Sequence, residues 1–257
     1  MSVLQAIILG LVQGITEFLP ISSSGHLEVA EALLGLDIKE SLAFTVFVHG
    51  ATVLSILTVY YQDLWRLARG SIARPWNAEQ RYISKLLVSM IPVAMVGLLF
   101  EQQIAACFAG RLDLVGIAFC VTGAILLASH LAPGANKEIS YAMALAIGLA
   151  QMIAVLPGIS RSGATISMAL VMGAGRDKAT RFSFLMVLAP IVGANGMKML
   201  DASWCADIAL WPLLAGFLAA YVSGYLACRW MVRLVKRGML FWFAFYLFAL
   251  GVVTVCV

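Results

Sequence analysis

Long apolar runs dominate the chain and predict helices that cross a membrane. A spanning helix needs about 20 mostly apolar residues. Six runs meet this requirement approximately: 41–61, 83–101, 112–132, 180–200, 208–228 and 240–257. The pattern therefore predicts an all-α protein with six transmembrane helices.

Two further apolar stretches, 3–35 and 139–175, are interrupted by Pro, Gly and hydroxyl side chains. Polar, non-helical backbone at membrane depth is tolerated only where it is buried in protein or lines a wet cavity. We therefore expect both stretches to be re-entrant helical hairpins, each entering and leaving on one side of the membrane.

The two hairpins belong to an internal repeat. Gly10 and Gln13 correspond to Gly148 and Gln151, which lie 138 positions later. Three predicted spans separate the hairpins, and an odd number inverts the second copy, so their tips should meet inside the bilayer. Matching broken segments in two halves of a membrane protein mark a binding site. The pattern predicts one membrane domain, 1–257, with repeats at about 1–132 and 139–257.

Composition and charge agree with this arrangement. The 257 residues are 62% hydrophobic and 12% charged, whereas soluble domains have about 25% charged residues. In the six-span arrangement 13 of the 17 Lys and Arg residues share one side, three lie on the other, and Arg161 lies between. Cytoplasmic loops carry such an excess. The first hairpin would then enter from outside, so its loop should be accessible from the outer side.

The five cysteines show no metal-ligand spacing and are expected to be small apolar residues in helices. A disulfide between Cys107 and Cys205, both expected on the outer side, stays an open alternative.

The first interrupted segment places a carboxylate at membrane depth. Burial of Glu17 there costs about 2.5–3.5 kcal/mol on insertion scales, so it needs a partner. Gln13 lies one helical turn earlier on the same face, and the two could offer oxygens to Mg²⁺. The alternative is a structural carboxylate bonded to Arg161 or to a loop N–H.

The serines after Pro20 suggest both anion binding and nucleophilic chemistry. Hydroxyls and free N–H groups at a helix start favour anions, which applies to Ser22, Ser23 and Ser24. His26 follows closely, and a Ser–His pair suits nucleophilic attack with base assistance. The alternative is helix capping by the serines with His26 as a satisfied core residue. His49 could approach the same site, or it could be a packed, hydrogen-bonded residue.

The second segment carries an arginine that must face an anion or backbone carbonyls. The planar fork of Arg161 suits bidentate phosphate binding, and Ser160, Ser162 and Thr165 add hydroxyls beside it. The alternative is a buried ion pair between Glu17 and Arg161 with no ligand. Taken alone, the residues of both loops predict an intramembrane site for an anionic lipid or solute.

Both motifs resemble those of the bacterial undecaprenyl-diphosphate phosphatases, the BacA family associated with bacitracin resistance. Gln13 and Glu17 match its first motif, the adjoining segment 18–26 resembles its Ser-rich loop, and 157–165 matches its second motif, Pro-Gly-x-Ser-Arg-Ser-x-x-Thr. The resemblance covers essentially the whole chain.

That resemblance implies hydrolysis of a polyprenyl diphosphate lipid, undecaprenyl diphosphate, in the bacterial inner membrane, which recycles the carrier for cell-wall synthesis. It implies dependence on Mg²⁺ or Ca²⁺, with Gln13 and Glu17 assisting metal and diphosphate binding. Ser23 would be the nucleophile, and His26 the base, the proton donor or a rival nucleophile. The diphosphate would be held by Arg161 with help from hydroxyls, those of Ser22, Ser160, Ser162 and Thr165.

A lipid-phosphate transporter or flippase is the competing hypothesis, because inverted repeats with broken helices are a transporter architecture. A carrier needs the arginine and the hydroxyls but no nucleophile, so Ser23 beside Glu17 and His26 favours the hydrolase. No nucleic-acid partner is expected, and a homo-oligomer is an open alternative.

Overall fold

The computed structural model describes residues 1–36, 38–108, 111–132, 135–200 and 209–256. Twelve helices occupy these ranges, and within them the chain forms no strand beyond an isolated bridge between Lys137 and Ala174. The all-helical prediction is confirmed. The helices are α1 (Val3–Phe18), α2 (Ser23–Leu34), α3 (Ile38–Val59), α4 (Tyr61–Ser71), α5 (Ala78–Phe108), α6 (Leu112–His130), α7 (Tyr141–Ile153), α8 (Arg161–Val171), α9 (Arg176–Met186), α10 (Leu188–Leu200), α11 (Leu210–Lys236) and α12 (Phe241–Cys256).

Each predicted span corresponds to helical structure, with changes of length. The run 83–101 lies inside α5, which is 31 residues long, and the run 208–228 becomes α11, which continues to Lys236. The run 180–200 is divided at Val187 between α9 and α10. Within the described ranges, α6 and α11 are long and apolar enough to cross a membrane. Helices α3 and α4, which meet at a bend of 77°, would form a third span if they are counted as one. The number of six spans stays a prediction.

The repeat found in the sequence is also a repeat of helix starts. Helices α1 and α7 begin 138 positions apart, and the same separation relates α2 to α8 and α3 to α9. The N-caps correspond as well. Ser2 and Ser140 accept hydrogen bonds from N–H groups three residues later, and so do Ser22 and Ser160. The same local capping chemistry therefore starts the paired helices.

Close backbone contacts hold the equivalent helices in place. Helix α1 packs on α11, and a Cβ at Gly10 would lie 2.3 Å from the carbonyl oxygen of Gly216. Helix α7 packs on α5 in the same manner, and a Cβ at Gly148 would lie 2.3 Å from the carbonyl oxygen of Ser89. Small residues that let helix backbones approach closely are typical of membrane interfaces.

The surface is apolar to a degree that suits lipid contact. Large apolar side chains are exposed along several helices, including Leu99 on α5 and Leu218 on α11. Soluble monomers rarely expose extended apolar patches. Mean hydropathy is +0.97, and together with the apolar helices it identifies a membrane protein.

Three cysteines, Cys120, Cys228 and Cys256, have free thiols. The side chains of Cys107 and Cys205 lie outside the described residues, so their disulfide stays a prediction.

Candidate active site

The break between α1 and α2 puts Ser23 at a helix start. Helix α1 ends at Phe18, and Leu19 is extended with ψ at 150°. Ser22 then adopts a positive φ of 68°, which is uncommon for a residue other than glycine. Its hydroxyl accepts a hydrogen bond from the Gly25 N–H at 3.4 Å and caps α2. Ser23 is therefore the first residue of α2, where unpaired N–H groups favour an anion.

The break between α7 and α8 gives Arg161 the equivalent position. Gly158 has a φ of +88° and turns the chain. The Ser160 hydroxyl then accepts from the Gly163 N–H at 3.1 Å and caps α8, whose first residue is Arg161. The Ser160 N–H donates to the Thr122 hydroxyl of α6 at 3.1 Å, which fixes the loop. Ser23 and Arg161 therefore correspond to each other in the two repeats.

The two loops contact each other, as expected from the inverted repeat. The Ser162 hydroxyl donates to the carbonyl of Leu19 at 3.1 Å. Gly25 is packed so closely that a Cβ there would lie 3.1 Å from Cα of Gly158 and 2.7 Å from the Phe119 ring. This contact brings the serine of one helix start and the arginine of the other to the same site.

Glu17 is the centre of the site. Its side chain is 7% exposed, and the Ser23 hydroxyl donates to Oε2 at 2.5 Å. Gln13 donates to the same oxygen at 3.1 Å through Nε2. Arg161 Nη1 lies 3.8 Å from Oε1, and His49 Nε2 lies 3.9 Å from Oε2. Glu17 therefore has the cationic neighbour predicted for it, and His49 approaches the site from α3.

His26 is not the partner of Ser23. Its Nδ1 lies 2.7 Å from the Ser22 carbonyl, and its Nε2 lies 2.8 Å from the Tyr246 hydroxyl of α12. The ring also contacts Phe119 edge-on at 5.1 Å between centroids. The Ser–His pair expected from spacing does not form, because α2 packs against α6 and directs the His26 side chain toward Phe119 and Tyr246. Ser23 meets Glu17 instead.

The hydroxyls predicted to hold a diphosphate are mostly engaged within the protein. Ser160 caps α8, and Thr165 is bonded to the Ser183 hydroxyl at 2.5 Å and to the Arg161 carbonyl at 2.8 Å. Ser22 caps α2. By contrast, the fourth residue, Ser162, lines a small cavity beside Arg161. These contacts make the other three structural supports of the two helix starts.

A small cavity opens between the acidic and basic side chains. Its volume is about 20 Å³, which is enough for about one water molecule. Its polar walls come from Glu17, Arg161, Ser162 and Ser183, and its apolar walls come from Phe18, Ile56, Phe184 and Val187. The side chain of Arg161 is 34% exposed at its rim. The cavity therefore lies between the carboxylate of Glu17 and the guanidinium of Arg161, which could bind a phosphate.

A larger cavity of about 440 Å³ lies elsewhere, among the ends of α6, α8 and α11 and the starts of α9 and α12. Its lining includes His130, Asn136 and Arg176 but none of the residues predicted for the site. We place the candidate active site at the smaller cavity because Glu17 and Arg161 line it and Ser23 is hydrogen-bonded to Glu17.

The oxygens of Gln13 and Glu17 are the groups at this site that could hold a divalent cation. Gln13 is fully buried, and its Oε1 has no hydrogen-bond partner in the described part of the chain. Such an acceptor beside a carboxylate suits Mg²⁺ or Ca²⁺, which take oxygen ligands. The described ranges contain no cluster of three or more His, Cys, Asp or Glu side chains placed to hold a metal. The remaining ligands would come from phosphate oxygens and water.

Two neighbours of the site could not be found from the sequence. Ser183 on α9 meets Thr165, and Tyr246 on α12 meets His26, 220 positions along the chain. Neither residue lies in the two loop motifs or at a helix break. Only the packing of α9 and α12 brings them to the two loops.

These features define a helical membrane protein with a partly buried Ser–Glu–Arg site between two broken helix pairs. The family of the bacitracin resistance protein BacA matches residues 6–253. The chain therefore belongs to that family, and the resemblance of its motifs is confirmed.

Relatives of similar length extend this result. The chain is 47% identical to an undecaprenyl-diphosphatase of Bacteroides fragilis, with 98% of this chain and 97% of that protein covered. It is 44% identical to an undecaprenyl-diphosphatase of Christiangramia forsetii, over 99% and 98% of the two chains. A protein of that name from Methanobrevibacter smithii is 37% identical, over 98% and 96%.

Proposed function

We propose that this protein hydrolyses undecaprenyl diphosphate to undecaprenyl phosphate and inorganic phosphate. It is then a membrane-bound acid anhydride hydrolase that recycles the lipid carrier of cell-wall synthesis, and it would confer bacitracin resistance. The observation that carries the proposal is the hydrogen bond from the Ser23 hydroxyl to Glu17, with Arg161 facing the same carboxylate. The names of the relatives support the same substrate.

In the first step, the Ser23 oxygen attacks the terminal phosphorus while Glu17 accepts the hydroxyl proton. An O–P bond to Ser23 forms, and the bond from that phosphorus to the bridging oxygen breaks, which releases undecaprenyl phosphate. A nucleophile held by a neighbouring base is the arrangement that covalent catalysis requires. Water then attacks the phosphoserine, releases inorganic phosphate and restores the Ser23 hydroxyl with the proton held by Glu17.

Arg161 and two helix starts would stabilise the negative charge on the transferring phosphoryl group. Ser23 and Arg161 begin α2 and α8, whose N-terminal N–H groups and dipoles favour an anion. Arg161 is partly exposed and lies 3.8 Å from Glu17, beyond hydrogen-bond distance, so it can bind phosphate without breaking a tight ion pair. Preorganised donors of this kind stabilise the transition state.

A divalent cation belongs to the proposal. Gln13 Oε1 and a Glu17 oxygen would hold Mg²⁺ or Ca²⁺ together with the diphosphate. When bound, the ion would neutralise phosphate charge and favour departure of the lipid phosphate. Gln13 Nε2 meanwhile holds the Glu17 carboxylate in place for Ser23.

The membrane arrangement is part of the same proposal. Six spans and two re-entrant hairpins in an inverted repeat would place the two loops inside the bilayer of the bacterial inner membrane. The hairpin of α1 and α2 would enter from the outer side, and the active site would open there. A cysteine introduced at Ser24, which is exposed at the start of α2, should react with an impermeant thiol reagent from the outer side. Reaction from the cytoplasmic side alone would reverse the orientation.

Phosphate release from undecaprenyl diphosphate by purified protein in detergent tests the function. We expect metal-dependent release that collapses in Ser23→Ala. Ser24→Ala is the matched control, because the neighbouring hydroxyl contacts Ser22 and not Glu17. Retained activity in Ser23→Ala would move the nucleophile to His26 or water. No release by folded wild-type protein would favour a lipid-phosphate transporter instead.

A further inference from the structure

The hydrogen bond between His26 and Tyr246 joins the first loop to the last helix. Nδ1 of His26 lies 2.7 Å from the Ser22 carbonyl oxygen, which can only accept, so Nδ1 must carry a proton. A neutral imidazole has one N–H, and its Nε2 is then an acceptor. The Tyr246 hydroxyl, 2.8 Å away, therefore donates to Nε2.

We propose that Tyr246 is a positioning residue for His26 in the phosphatase reaction, an inference that rests on the function proposed above. The two contacts occupy both ring nitrogens, and the phenol ring stacks on the imidazole at 16° with centroids 5.8 Å apart. Phe119 packs on the imidazole as well. Rotation, tautomer and tilt of His26 are thereby fixed.

The tyrosine hydroxyl suits this role because it can reverse its part in the bond. It donates to a bare Nε2 and accepts from Nε2–H, so the imidazole keeps its place whether or not it holds an extra proton. A side chain that only donates or only accepts would release His26 in one of the two states. Tyr246 therefore lets His26 exchange a proton at the site without moving.

The engagement of His26 also accounts for the pairing of Ser23 with Glu17. With both nitrogens of His26 occupied, the imidazole is not available to take the Ser23 proton, and Glu17 receives that bond instead. The proton-donor role expected for His26 then requires Nε2 to exchange its proton through the Tyr246 hydroxyl, its partner at 2.8 Å. Its orientation then depends on α12, far from both motifs.

A double-mutant cycle on phosphate release tests the inference. Tyr246→Phe keeps the ring but removes the hydroxyl, and we expect kcat to fall roughly 2- to 10-fold, the range for one neutral hydrogen bond, with KM unchanged. In a His26→Ala background the same substitution should change kcat by less than about twofold. The matched control is Tyr221→Phe, which removes another interhelical tyrosine hydroxyl, bonded to Thr58 on α3.

Each outcome separates the role of Tyr246 from the function on which it rests. An equal loss from Tyr246→Phe with and without His26 would overturn the inference, because the tyrosine would then act independently of the histidine. A rise in KM with unchanged kcat would also overturn it and make Tyr246 a substrate contact. Failure of the wild-type protein to release phosphate would instead overturn the proposed function.

Discussion

Glu17→Gln should separate catalysis from binding at this site. The substitution keeps the size of the side chain and an oxygen that can accept from Ser23, but it removes the base. General base catalysis contributes typically 10²- to 10⁴-fold, which equals about 2.7–5.4 kcal/mol of transition-state stabilisation. We therefore expect kcat for phosphate release to fall by about that factor.

At saturating Mg²⁺, where the amide oxygen of the new side chain still serves as a ligand of the cation, the same substitution should tighten substrate binding. Arg161 lies 3.8 Å from Oε1 of Glu17. Charges about 4 Å apart interact by about 4 kcal/mol at an effective dielectric constant of 20. A third of Arg161 is exposed, so solvent screening reduces the usable part to about 1 kcal/mol. Freed from the carboxylate, Arg161 should bind phosphate more strongly, and KM should fall roughly fivefold.

Initial rates over a range of undecaprenyl diphosphate concentrations, at saturating Mg²⁺, measure both effects. Asp113→Asn is the matched control, since it removes an exposed carboxylate that pairs with Arg111 at 2.8 Å, away from the site. Its kcat and KM should equal those of the wild type. A decrease of kcat by less than about tenfold in Glu17→Gln would refute the role of Glu17 as base. A rise in KM would refute the competition between Glu17 and phosphate for Arg161.

The packing and the proposed metal site lead to three further expected outcomes. Gly14→Ala should lower the free energy of unfolding by about 1–3 kcal/mol, because the added Cβ would lie 2.4 Å from a backbone oxygen of α11. The control Gly97→Ala should leave stability unchanged, because a Cβ there would have no neighbour within 4 Å. Thermal unfolding in detergent compares the two variants. Ser162→Ala should cost about 0.5–1.5 kcal/mol, because the buried Leu19 carbonyl loses one of its two donors and keeps the Ile21 N–H at 2.8 Å; an unchanged melting temperature would mean that water replaces the hydroxyl. A chelator should abolish phosphate release and added Mg²⁺ restore it, whereas activity in the chelator would exclude the role of Gln13 and Glu17 as ligands.

Local features of the sequence were enough to find the helix breaks and most residues of the candidate site. Pro and Gly residues follow the ends of α1 and α7, and serine hydroxyls cap α2 and α8, so the sequence alone places Ser23 and Arg161 near helix starts. Helix capping depends on residues a few positions apart. The pairing of Glu17 with Gln13 could be predicted for the same reason, since residues four apart share a helix face.

Only tertiary packing decided which side chains meet across those breaks. Spacing alone predicted a pair of Ser23 and His26. In the structure α2 packs on α6, His26 is bonded to Tyr246, and Ser23 donates its hydrogen bond to Glu17. The sequence also did not predict that the 180–200 span divides at Val187. Nor did it predict the hydrogen bond between Ser183 and Thr165. The chain itself determined an apolar, all-helical protein with two polar breaks. The orientation of the side chains at the candidate site depended on contacts between helices far apart in sequence, which no local pattern encodes.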